Sequence, residues 1–109
     1  MVTQHDWHEF LYSCDLIGQD WLHVNRVGMA YIYWRTGVTT TSSEKAQKIL
    51  DAFLCDPGSG EERLAQYLAE PHYGAQGANS IISEENRQRI VKMLHYIVTE
   101  KPKLEEWVN

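Results

Sequence analysis

Five histidines, two cysteines and a knot of acids near the N-terminus are the groups with chemistry to offer. His5 and His8 stand three residues apart with Glu9 beside them, which brings three metal-ligating side chains close to one end of a helix. A closed site takes a third and usually a fourth ligand, and Cys14, His23, His72 and His95 follow no recognisable ligand spacing. Ordinary histidines at an exposed end are therefore expected, with no metal and no cofactor. Nucleophilic catalysis asks for a Cys or Ser beside a base that is itself oriented by a third group. Cys55 precedes Asp56-Pro57-Gly58, and His72 or His95 are the available bases, but no motif aligns them. Cys14 and Cys55 both fall on or near apolar stripes, where burial makes a thiol less reactive. The expectation is two reduced thiols and no catalytic residue, with a Cys14–Cys55 bridge the less favoured alternative.

Two further patterns point to binding chemistry and fall short of it. Gly58-Ser59-Gly60 and the Gly74–Gly77 pair match neither the P-loop nor the dinucleotide pattern, and Glu61 and Glu62 already sit where an anion would bind the following helix. The bases Arg87, Arg89, Lys92, Lys101 and Lys103, with Tyr96 among them, could form a nucleic-acid surface. Glu84, Glu85 and Glu100 dilute that patch, so a solvated face is the better reading. The net charge of −5 also argues against broad binding to nucleic acid or to an anionic membrane.

The strongest candidate lies on the first helix. Trp7, Phe10, Leu11 and Cys14 form its inward stripe, while His5, Glu9, Tyr12 and Leu16 run nearly opposite. Tyr12 and Leu16 would then be apolar anchors ringed by Asp6, Glu9, Asp15 and Asp20, in a stretch (residues 1–25) that holds no Lys or Arg. Anchors supply affinity and rim charges supply steering, so Asp6, Glu9, Tyr12, Asp15, Leu16 and Asp20 are the expected partner-binding set.

These side chains must be positioned by helices. Thr3 and Asp6 open a segment expected to run to about Ile17, where Gly18 interrupts it. Residues 19–35 carry a broad apolar face of Trp21, Val24, Gly28, Tyr31 and Ile32, with Gln19, His23 and Arg26 opposite. The β-formers of Val27–Trp34 also allow a strand, but a central helix ended by Gly37 is favoured. Val38–Ser43 reads as a linker. Thr41 and Glu44 fit a capping box for a helix with the stripe Ala46, Ile49, Leu50, Phe53 and Leu54. Ser59 and Glu62 repeat that spacing before Leu64, Tyr67 and Leu68, and residues 71–82 form an irregular piece. Ser83 caps a last long helix with Ile90, Val91, Leu94, Ile97 and Val98 inward and Gln88, Lys92, His95 and Thr99 outward. Pro102 ends it, and Leu104 and Trp107 should dock on the body.

The expected fold is all-α, a compact bundle of four to five helices forming a single domain over residues 1–109. An α+β fold with a small hairpin from residues 24–42 is the alternative. The expected function is that of a small acidic, non-enzymatic interaction protein: an inhibitor, immunity protein or adaptor that binds and blocks a basic protein such as a nuclease or toxin. A helical structural subunit or chaperone of a larger assembly, a homodimer included, is the alternative. No signal-like segment and no apolar run of membrane-spanning length is readable, which points to a cytoplasmic protein with neither membrane nor direct nucleic-acid partners.

Overall fold

In the computed structural model, which describes residues 1–56, 60–74 and 77–107, the chain is an all-α bundle. The helices are α1 (Gln4–Ser13), α2 (Gly18–Thr36), α3 (Glu44–Leu54), α4 (Gly60–Ala69) and α5 (Glu84–Thr99). Strands β1 (His72–Gly74) and β2 (Gly77–Ser80) form a short antiparallel ribbon between α4 and α5, paired His72 to Ser80 and Gly74 to Gly77. A 3-10 turn, Leu104–Glu106, precedes the buried Trp107.

The central element is α2, against which α1, α3, α4, α5 and the ribbon all pack. Val24 and every residue from Val27 to Tyr33 are buried in it. A helix covered on most sides shows no clean polar–apolar period, which is why this stretch also reads as a strand. The alternative hairpin over residues 24–42 is excluded, since residues 18–36 are continuous helix. The turn-to-loop exit is set by Gly37, whose φ of 85° is the left-handed conformation that glycine adopts freely and whose N–H bonds back to Tyr33 and Trp34.

The amphipathic helices follow their stripes closely. Ala46, Leu50 and Phe53 of α3, Leu64 and Leu68 of α4, and Ile90, Leu94 and Ile97 of α5 are buried. Helix α1 buries Trp7, Leu11 and the C-capping Cys14, and its N-terminus carries a capping box in which Thr3 and Asp6 each bond the other's backbone N–H. At α3 the cap is Ser43, which accepts from the Ala46 N–H; Thr41 instead meets Gln47, whose amide oxygen accepts the Thr41 N–H at 2.7 Å. The capping pair built on Ser59 lies outside the described residues.

Other placements also differ from the sequence reading. Helix α1 stops at Ser13, not Ile17: the Cys14 N–H turns back to the Leu11 carbonyl, and Asp15 takes a left-handed φ of 61°. Leu54 is exposed rather than inward. His95 is half-buried, held by the Tyr31 hydroxyl, instead of facing water. Cys14 is buried but Cys55 is exposed, and both are free thiols.

Candidate functional site

The surface built by α1 and the start of α2 is the candidate site. Tyr12 projects from α1 with 54% of its surface exposed, and its ring stacks on Trp21 of α2 with centroids 5.5 Å apart. His8, one turn back on α1, tilts against the other side of the contact at 4.9 Å from Trp21. Ile17 and Leu22 are exposed on either side of Trp21 in sequence. Trp21, Leu22 and His8 continue into a cavity of about 430 Å³ whose far wall is Thr41, Ser42, Ser43 and Ala46. The exposed Tyr12 is therefore joined, through the half-buried Trp21, to a concavity of the size that takes a small ligand or a partner's side chain.

Two polar atoms in that wall have no partner. His8 Nε2 and Trp21 Nε1 are shut off from water and make no hydrogen bond with any described residue. An unpaired buried donor costs about 1–3 kcal/mol, so both are places where an outside acceptor would be welcome. Burial also pushes the His8 imidazole below its ordinary value, against a smaller opposing effect of Asn25. Asn25 is itself fixed, accepting at Oδ1 from the Trp7 indole N–H at 2.9 Å.

The acids expected to ring this surface divide into two groups. Glu9 is exposed, with the exposed His5 at 3.9 Å. Asp15 is exposed at the left-handed corner after α1. Asp6 is committed to the capping box, which holds its carboxyl below the usual carboxylate range. Asp20 is turned to the ribbon, where Oδ1 accepts from His72 Nε2 at 2.6 Å and from the Ser80 hydroxyl at 2.8 Å. Leu16, read from the sequence as an exposed anchor, is only 5% exposed. Because α1 has already ended, the four-residue step from Tyr12 no longer keeps to one face. The anchor paired with Tyr12 is Trp21, which sequence reasoning assigned to the core.

Asp, His and Ser meeting in one place invites comparison with a hydrolytic relay. In such a relay the imidazole lies between hydroxyl and carboxylate and takes the hydroxyl proton. Here the carboxylate lies in the middle and accepts from both, so Ser80 has no imidazole to deprotonate it. The cluster fastens the ribbon to α2. His23 completes it, stacked on His72 with centroids 4.2 Å apart and donating from Nε2 to the Tyr67 carbonyl at 3.0 Å. Burial pushes the Cys14 thiol up, which makes it less reactive as a nucleophile. Among the described residues no three His, Cys, Asp or Glu side chains form a group able to hold a metal ion.

The histidines give the fold a definite pH dependence. His23 is held below its ordinary value of 6.5, mainly by burial and next by the neighbouring His72. His8 is lowered as well. In the unfolded chain both bind a proton near pH 6.5, whereas the folded chain resists, so the unfolded state holds more protons in that window. Their contribution to stability is full above pH 6.5 and is lost as the pH falls toward the lower folded values. Thermal melts should therefore show a lower Tm at pH 5.5 than at pH 7.5, with a smaller drop in His23→Gln. An unchanged pH slope in that variant would show that His23 does not titrate with folding.

No family model, no curated protein and no solved structure matches this chain. None of the helices described is long and apolar enough to cross a membrane. The fold and the surface together define a helical-bundle protein with a mixed aromatic and acidic face.

Proposed function

We propose that this chain is a small, acidic, non-enzymatic interaction protein that binds a basic protein and blocks it, as an inhibitor or adaptor does. The observation that carries the reading is the exposed Tyr12 stacked on the half-buried Trp21, which itself lines the 430 Å³ cavity, with the exposed acids Glu9 and Asp15 on the same stretch of chain. Tyr and Trp are the side chains that most often dominate binding energy, and neighbouring acids accelerate encounter with a basic surface. The unpaired His8 and Trp21 nitrogens support it further, because a partner's carbonyl or carboxylate would remove their cost once a wall side chain moves aside.

The test is affinity capture from the native host with wild-type and Tyr12→Ala, Asp15→Asn baits, washed at low and high salt. A retained protein should be basic, should be lost from the variant bait, and should elute as salt rises. An acidic partner, or retention indifferent to both salt and substitution, would reject the proposal. Sedimentation of the isolated chain as a stable dimer that Tyr12→Ala dissociates would instead favour a subunit of a larger assembly.

A further inference from the structure

A second concavity lies between α2, α3 and α4, next to the first and sharing Arg26 with it. It encloses about 290 Å³ and is lined by His23 and Arg26 of α2, Lys45, Lys48 and Ile49 of α3, and Tyr67 and Glu70 at the end of α4. In a chain with ten Lys and Arg residues and a net charge of −5, three of the cations converge on this one hollow. Arg26, Lys45 and Lys48 make no hydrogen bond or ion pair with any described residue, unlike Arg35 and Arg63, which are paired to Glu61 and Asp56. Glu70 is the sole acid in the lining. The floor differs from a solvated charged face: Ile49 and Tyr67 are half-buried apolar surfaces, and burial, then the neighbouring His72, holds the His23 imidazole below its ordinary value.

We propose that this hollow binds a small organic phosphate. Arg26 offers the planar fork that meets phosphate oxygens two at a time, and Lys45 and Lys48, one helical turn apart, add point charges from the facing helix. Ile49 and Tyr67 form a wall for the ligand's flat or apolar body. The volume is at the lower end of small-ligand sites, which suits one phosphate on a small body better than a polymer. The acidic character of the whole chain does not prevent this, since charges beyond about 8 Å are largely screened at physiological salt.

Inorganic pyrophosphate is the probe, followed by NMR of the Ile49 methyls and the His23 ring, with sodium chloride of matched ionic strength and a hexaglutamate peptide as comparisons. Pyrophosphate should shift the Ile49 signals saturably and raise the pH at which His23 titrates, because the bound anion offsets the charge that now opposes protonation. Lys45→Gln with Lys48→Gln, both exposed and so harmless to the fold, should weaken binding about tenfold, as loss of a charged hydrogen bond does. Lys92→Gln on α5 should leave it unchanged. Shifts that never saturate, or that chloride reproduces, would reduce the effect to screening and overturn the proposal. Tighter binding of hexaglutamate than of pyrophosphate would also overturn it, in favour of an acidic protein segment.

Discussion

Replacing Gly28 with Ala should destabilise the chain by about 2–4 kcal/mol, enough to unfold a large fraction of a marginally stable domain. On local grounds the opposite is expected, since Ala in a helix interior is about 1 kcal/mol better than Gly. The decisive fact is what lies above the Cα. A methyl there would run into the six-membered ring of the Trp7 indole, which is itself fully buried. That ring has nowhere to go: Trp7 stacks on Phe10 at 6.2 Å and donates its N–H to Asn25. Overpacking costs about 1–3 kcal/mol, and pulling the indole N–H from Asn25 adds about as much again, so the sum outweighs the propensity gain. The measurement is equilibrium denaturation of Gly28→Ala, Trp7→Phe and the double variant. Trp7→Phe makes room, so the double variant should be less destabilised than the two singles added together. A Gly28→Ala chain as stable as the parent would falsify the contact.

The same contact shows what the sequence could and could not reveal. Helices α3 and α5 were legible because each exposes one side to water, and the burial of Ala46, Leu50, Phe53, Ile90, Leu94 and Ile97 follows their spacing. Helix α2 was ambiguous because it is buried nearly all round, and periodicity disappears when there is no polar side to mark it. The glycine at 28 then reads as one apolar position among many, although its role is to let two helices approach across an indole. The Asp20–His72–Ser80 cluster joins residues 52 and 60 positions apart, and no local pattern records such a meeting. Its sign was visible only as an acid, a histidine and a serine in separate segments. The ribbon of β1 and β2 falls in a piece read as irregular, with Gly74 and Gly77 at its turn the sole cue. The basic hollow was missed for a similar reason: Arg26 and the α3 lysines belong to different helices, and each looks like ordinary solvated charge on its own.

Leu16→Ala and Tyr12→Ala should separate cleanly, with the first losing about 3 kcal/mol and the second less than about 1 kcal/mol. A reading that keeps both on one outer stripe expects neither to disturb the fold. The turn at the end of α1 decides otherwise. Asp15 adopts the left-handed conformation that more often calls for glycine, and it swings Leu16 from the course of the helix into the core beside the buried Cys14. Truncating a buried Leu removes its transfer energy and leaves a void, whereas truncating Tyr12 gives up only its stacking on Trp21 and some half-exposed surface. For a chain of this length the difference corresponds to a Tm lower by roughly 10–20 °C in Leu16→Ala and by a few degrees in Tyr12→Ala. Calorimetry of the two single variants is the check. If Leu16→Ala melts with the parent, the corner at Asp15 is not where α1 ends. Partner binding then reads out the complementary half: Tyr12→Ala keeps the fold and loses affinity, so a loss seen with Leu16→Ala at a temperature where it remains folded would point to the turn, not the leucine side chain, as what presents Tyr12 and Asp15 to the partner.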